Sequence, residues 1–163
     1  MLDYDLIPTS KPDYLAPISR TVGEMFLERV RRSVDRPAYQ QKINGQWQTT
    51  TWHQFLDKAA PITRFLLDQG LNIGDKVCIV GGTRPEWAIA DIGGLLAGCV
   101  TVGAYPTLAP AQMAYLLQHS DTRTVFAEGK GDVEKLLSIK NDTPDVQCVV
   151  VWDNVMVRPK PPP

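Results

Sequence analysis

From residue 74 onward the chain alternates short β-branched runs with helix-like stretches. "KVCIV" (76–80), "TVGAY" (101–105), "TVFAE" (124–128) and "VQCVVVW" (146–152) read as strands. Between them, "RPEWAIADIGGLLAGC", "AQMAYLLQHS" and "VEKLLSI" read as helices. Strands that stay apolar on consecutive residues are buried on both faces. Parallel neighbours need a crossover of about a dozen residues or more, and a helix supplies it. The pattern predicts an α/β fold, a parallel sheet of about four strands covered by helices on both faces.

A helix and a β-hairpin are expected ahead of this sheet. "TVGEMFLERVRRS" opens with Thr21 and Glu24 in capping-box spacing, where each side chain satisfies a free backbone N–H of the other residue's segment. Val22, Met25, Phe26 and Val30 make its apolar face. Asn44-Gly45 then marks a type I′ turn, because both residues tolerate the positive φ that this turn requires. It joins strands over Ala38–Ile43 and Gln46–Thr50. Thr51 and Gln54 repeat the capping box and start a second helix, with Phe55, Ala59, Ile62, Phe65 and Leu66 at helical spacing. Gly70 suits the position just past its end, and Pro61 inside it should kink it. Residues 1–20, with three prolines and no period, read as an N-terminal arm. Residues 154–163, ending "RPKPPP", read as a disordered Pro-rich tail. The α/β portion therefore spans 21–153.

Several function classes are disfavoured. The net charge is −1 and the basic residues form no stripe, so a nucleic-acid partner is not expected. The N-terminus has acidic residues and no apolar segment, unlike a secretory signal. No run approaches the roughly 18 apolar residues of a spanning helix, although peripheral membrane contact stays open. Cys78, Cys99 and Cys148 are odd in number, widely spaced and set in apolar runs. They read as buried thiols of a cytoplasmic protein, neither a disulfide framework nor a zinc site.

Two stretches merit attention as sites. "VCIVGGTRPEW" (77–87) is a strand, a glycine pair and a helix start, an arrangement that can hold phosphate. Its spacing matches neither G-x-G-x-x-G nor G-x-x-x-x-G-K-[ST]. Thr83 and Glu86 have capping-box spacing, which would engage the free donors and place a carboxylate where phosphate would sit. Pro85 falls in the first turn, where its missing N–H costs little. The reading is a cap, with no phosphate held at Gly81-Gly82. In "AGCVTVGAYPT", Gly98 and Gly103 allow tight helix-to-strand packing. Tyr105 and Thr107 sit beyond a strand's carboxyl end, where α/β folds gather ligands. A structural role is the expectation here too. His53 and His119 have no partner at a telling spacing, and Asp132/Glu134 and Asp142/Asp145 read as cap and loop acids. No catalytic, cofactor-binding or metal-ligating residue is assigned.

Taken together, "TVGEMFLERVRRSVDRPAYQ", "TWHQFLDKAAPITRFLLDQGLNIGDKVCIVGGTRPEWAIADIGGLLAGCVTVGAYPT", "AYLLQHSDTRTVFAE" and "VQCVVVWD" resemble the start of the long-chain fatty-acid CoA ligases. These are AMP-forming acyl-CoA synthetases of the adenylate-forming superfamily. Arg-Pro-Glu-Trp at 84–87, the Thr51-Trp52 pair and Tyr-Pro-Thr at 105–107 point to the long-chain branch. The likeness covers roughly residues 20–153. Gly82-Thr83 departs from the polar residue and Asn often found before Arg-Pro-Glu-Trp, Pro61 is unusual in its helix, and "LAPAQ" lacks the customary Ser or Glu.

The resemblance implies a two-step reaction. Fatty acid and ATP, with Mg²⁺, give an acyl-adenylate and pyrophosphate, and coenzyme A then takes the acyl group. It also implies that the Ser/Thr/Gly-rich phosphate loop, the adenine-binding motifs, the metal-holding acid and the C-terminal lysine domain follow the region matched. No "TSGTTG"-like run occurs in these residues. The expectation is the N-terminal portion of a long-chain acyl-CoA synthetase, truncated before its nucleotide site and inactive alone. The remainder of a synthetase or a second copy would be its partner. The alternative is a non-catalytic module that binds a full synthetase or a lipid surface. A small flavodoxin-like nucleotide binder is a third reading, with which the turn chemistry disagrees. The first helix and hairpin would belong to a neighbouring sheet in a full ligase, and here would dock on the domain edge or move.

Overall fold

A computed structural model describes residues 21–153, so the proposed arm and tail lie outside the described residues. Helix α1 (Val22–Arg32) precedes a hairpin of β1 (Pro37–Ile43) and β2 (Gln46–Thr51), and α2 (Trp52–Asp68) follows. Next come β3 (Lys76–Val80), α3 (Pro85–Leu96), β4 (Val100–Ala104) and α4 (Pro110–His119). The sequence of elements closes with β5 (Thr122–Ala127), α5 (Lys130–Ser138) and β6 (Cys148–Val151). The four later strands form one parallel sheet in the order β4-β3-β5-β6, as expected from their uninterrupted apolar runs.

Alternation along the central strands sorts the core into two layers. Val77, Ile79 and Phe126 point to one face, where Leu66 of α2 and Ala90 of α3 meet them. Cys78, Val80, Val125 and Ala127 point to the other, against Met113 and Leu117 of α4 and Leu136 of α5. A third cluster lies outside α2 and α3. There Phe26 of α1 meets Phe55 of α2 edge-on, with ring centroids 5.1 Å apart, and Tyr39 of β1 meets Phe55 at 5.4 Å. Helix α1 and the hairpin are therefore docked on the α2–α3 layer.

Two capping boxes form as the spacing predicts. Thr21 Oγ1 accepts the Glu24 N–H at 3.1 Å, and Thr51 Oγ1 accepts the Gln54 N–H at 3.2 Å. Asn44 and Gly45 both take positive φ, 50° and 81°, in the turn that pairs Ile43 with Gln46. Helix α2 runs unbroken through Pro61. Pro61 and Asp57 are both exposed, so the carbonyl that loses its intrahelical donor faces water.

The apolar face expected for α1 is corrected. Gly23, Phe26 and Val30 are buried, whereas Val22 and Met25 are 49% and 58% exposed. Glycine at 23 explains the rotation. A Cβ there would lie 3.2 Å from the Leu95 carbonyl oxygen, so the bare backbone of α1 is what approaches α3.

The amino end of the sheet is braced by Arg123. Its Nη1 donates to Asp75 Oδ2 at 2.7 Å and its Nη2 to Gln147 Oε1 at 3.0 Å, linking the starts of β3, β5 and β6. The Asn72 N–H also donates to Asp75 Oδ2, at 2.8 Å. That backbone hydrogen bond, helped by Arg123, holds the Asp75 carboxyl below its usual range. A carboxylate with a depressed folded pKa contributes stability above its unfolded value of about 4 and loses it as pH falls through the folded value. Urea midpoints measured from pH 6 down to 2.5 should therefore fall more steeply for the wild type than for Asp75→Asn. Equal slopes would contradict this role for Asp75.

Candidate functional site

The two stretches singled out in the sequence meet in space. An open cleft of about 670 Å³ lies beyond the carboxyl ends of β3 and β4. Gly82, Thr83 and Trp87 wall one side, and Gly103, Tyr105 and Thr107 the other. Tyr105 is 77% exposed at its rim. The Trp87 ring comes 3.5 Å from where a Cβ on Gly103 would stand, so the glycine makes room for the indole. Behind the cleft, Thr101 Oγ1 donates to Asp91 Oδ1 at 2.6 Å and fastens α3 to β4.

The order β4-β3-β5-β6 puts the topological switch point between β3 and β5. Helix α3, after β3, packs on one face of the sheet, and α5, after β5, on the other. Open α/β sheets bind ligands in the crevice this creates. Here the chain's own side chains occupy it. Glu128, directly after β5, accepts the Gly82 N–H on Oε2 at 2.7 Å. Arg84 donates from Nη1 to Glu128 Oε1 and to Asp153 Oδ1, both at 3.1 Å, and from Nε to Glu86 Oε2 at 2.8 Å. The guanidinium lies 6.0 Å from the centre of the Trp152 ring. A Cβ on Gly81 would stand 2.8 Å from that ring, so Trp152 closes directly over the glycine pair. Hydrogen bonding to Glu86 leads the causes that raise the Arg84 pKa further, and Arg84 in turn holds the Glu86 carboxyl low.

The cap expected from Thr83 and Glu86 does not form. Arg84 is the N-cap, with φ −147° and ψ 161°, and Pro85 is the first helical residue. Proline is pre-organised for that position and forces the residue before it into the extended region. Glu86 is then one residue too early for a capping box, and it pairs with Arg84 instead. At the glycine pair, the Gly82 N–H is engaged by Glu128 and not by a cap.

Pro85 offers no N–H, the Gly82 N–H is taken, and three carboxylates surround the single guanidinium. The sequence reading passed over Glu128, Trp152 and Asp153. The available signal was a charged residue directly after the buried run "TVFA", at a carboxyl end in the middle of the sheet.

The other candidates are dispersed. His53 Nε2 lies 3.8 Å from Asp57 on the exposed face of α2, a carboxylate neighbour that the sequence reading had not credited. His119 stacks on Tyr115 at 5.4 Å. Burial raises the Asp132 pKa, and Glu134 pairs with Lys130 at 3.6 Å. Asp142 offers its carbonyl to Gln118, and Asp145 is exposed. Among the described residues no three His, Cys, Asp or Glu side chains are grouped to hold a metal ion. All three cysteines are free, and burial pushes the Cys78 thiol up to about 12, far from a nucleophilic thiolate at neutral pH. Among the described residues no helix is long and apolar enough to cross a membrane.

Comparisons with known proteins agree with the expected family. The long-chain-fatty-acid–CoA ligase ACSBG2 of Gallus gallus is 31% identical over 143 residues, 87% of this chain and 19% of that protein. FadD15, a long-chain-fatty-acid–CoA ligase of Mycobacterium tuberculosis, is 31% identical over 140 residues, 82% of this chain and 23% of that protein. The chain thus spans about a fifth of the curated relatives it matches, in their N-terminal region. Among solved structures, the N-terminal domain of FACL13 from M. tuberculosis superposes with a TM-score of 0.72 at 20% identity, covering 82% of this chain and 34% of that one. The anthranilate CoA ligase AuaEII, solved with anthranoyl-AMP, superposes at 0.73 and 18% identity, covering 87% of this chain and 27% of that one. These two likenesses concern the fold alone. The model of the AMP-binding enzyme family matches residues 26–162, the hairpin, the parallel sheet and the cleft included, and the chain belongs to that family.

Proposed function

We propose that these residues form the N-terminal α/β portion of a long-chain fatty acyl-CoA synthetase and do not activate fatty acids by themselves. In this reading residues 21–153 are the folded portion, residues 1–20 an arm and 154–163 a tail. The observation that carries it is the crevice at the β3–β5 switch point, filled by Glu128, Arg84 and Trp152. Identity to long-chain ligases over most of the chain supports the substrate class, a fatty acid, with ATP, Mg²⁺ and coenzyme A used by the complete enzyme. No residue of this stretch is assigned to catalysis, to a cofactor or to a metal. Its role is to position: Arg84 and Glu128 lock the carboxyl ends of three strands, and the cleft beside them stays open. Three free thiols, two of them buried, favour a reducing compartment such as the cytoplasm.

The test is direct. Purified residues 1–163, given palmitate, ATP, Mg²⁺ and coenzyme A, should release no pyrophosphate above the enzyme-free background. Titration with ATP in a calorimeter should give no binding heat. Turnover in the first assay would sink the claim of inactivity, and saturable heat in the second would show that the crevice opens.

A further inference from the structure

Strand β4 ends the parallel sheet on one side, and among the described residues it pairs with β3 and no other strand. Val100 donates its N–H to the Asp75 carbonyl, toward β3. Backbone groups alternate in direction along a strand, so Thr101 and Gly103 turn their N–H and C=O outward. An open row of this kind templates pairing with another chain, and proteins blunt it with charged side chains, proline or a bulge. Val-Thr-Val-Gly-Ala carries no charge and no proline, and its register with β3 runs unbroken from Val100 to Ala104. Val100 is 50% exposed on this edge.

The helix beside the edge is equally bare of charge. Val102 and Ala104 point to the face that α4 covers, where Leu116 packs against the same cluster. The solvent side of α4 carries Ala111, Gln112, Tyr115 and His119, and the helix has no Asp, Glu, Lys or Arg. Surface helices ordinarily place charged residues there, as α5 does with Lys130 and Glu134. A shallow apolar groove between Leu108, Ala111, Tyr115 and Leu116 runs along α4 instead.

We propose that β4 is a self-association edge, where two copies of this chain pair their β4 strands antiparallel about a two-fold axis at Val102, with the two α4 helices side by side. The register follows from the outward groups. With Val102 opposite itself, Thr101 of one copy faces Gly103 of the other, and the two exchange N–H···O=C bonds in both directions. The side chains agree with this register. On the α4 face the two Val102 side chains meet in the close, non-hydrogen-bonded arrangement, an apolar cross-strand pair. On the other face each Thr101 lies across from the bare Gly103, the residue over which Trp87 leans. A different partner would have to bring an uncharged strand and an uncharged helix in this same placement. A second copy brings both, and at a net charge of −1 two copies repel little. The pairing needs only the fold and goes beyond the synthetase reading.

Sedimentation velocity of residues 1–163 over a concentration series should show a reversible monomer–dimer equilibrium. Because each substitution acts twice across the two-fold, Val100→Lys should weaken the dimer roughly tenfold or more, and Gly103→Pro, which removes an outward donor from an edge strand, should do the same. Val149→Lys on β6, the opposite edge of the sheet, is the control and should leave the dimer unchanged. Far-ultraviolet dichroism and thermal melts verify that each variant is folded. Cross-linking reads the register. In a non-hydrogen-bonded pair the Cα atoms stand about 4.5 Å apart, within reach of a disulfide. Val102→Cys in a Cys148→Ser background should therefore give a disulfide-linked dimer with copper phenanthroline, and Val149→Cys in the same background should not. A monomer at every concentration, a dimer indifferent to Val100→Lys, or one weakened by Val149→Lys overturns the proposal. A dimer that responds to Val100→Lys but does not cross-link at position 102 overturns the two-fold pairing.

Discussion

Gly93→Val is expected to lower the unfolding free energy by about 3 kcal/mol, at the upper end of the usual cost of overpacking. A Cβ at position 93 would lie 2.6 Å from Ile62 Cγ2, 2.7 Å from Ile62 Cβ and 3.2 Å from the Ala59 carbonyl oxygen. The obstacle includes backbone and a β-carbon, so rotating a side chain cannot relieve it. Thr63 also ties the helices together here, its hydroxyl donating to the Gly93 carbonyl at 3.0 Å. Helix propensity alone points the other way, since a glycine inside a helix costs about 1 kcal/mol relative to alanine. Gly131→Ala in α5 isolates that opposing effect, because nothing lies within 4 Å of its new Cβ. Urea unfolding of both variants should show a large loss for the first and no loss, or a small gain, for the second. A Gly93→Val protein as stable as wild type would refute the close α2–α3 contact.

Phe126→Ala should cost about 3–5 kcal/mol, the range for removing a buried aromatic. Phe126 is fully buried on β5, an inner strand of the sheet, in the cluster that α2 and α3 cover. Flanking strands pair with β5 on both sides, so the site has little freedom to collapse around the void. With net stabilities of about 5–15 kcal/mol for a domain, such a loss would leave a marginal fold. Thermal unfolding followed by far-ultraviolet dichroism gives the readout. A change under about 1 kcal/mol would mean that the α2–α3 layer repacks freely.

Much of the architecture was legible because it rests on local chemistry. Strand and helix order followed from the length and continuity of apolar runs. The turn at Asn44-Gly45 and the two threonine capping boxes followed from backbone preferences acting over four residues or fewer. The third capping box failed for an equally local reason. Pro85 dictated where α3 begins, and that outweighed the spacing of Thr83 and Glu86. The apolar face of α1 failed for a non-local reason, because Gly23 acts through the backbone of a helix more than sixty residues away.

The candidate site divides in the same way. The residues 81–87 and 103–107 were visible as glycine-bearing turns after strands, and the cleft joins them. Their closure was not visible, because Arg84, Glu128 and Asp153 are 44 and 69 positions apart along the chain measured from Arg84. Sequence by itself determined the α/β class, the four parallel strands and the family, since each is written in short-range patterns and in identities along the chain. Only the tertiary structure decided that the switch-point crevice is filled and that α1 and the hairpin cover the outer side of α3. The first depends on strand order, which sets β5 on the other side of β3 from β4 and brings a carboxylate to the glycine pair.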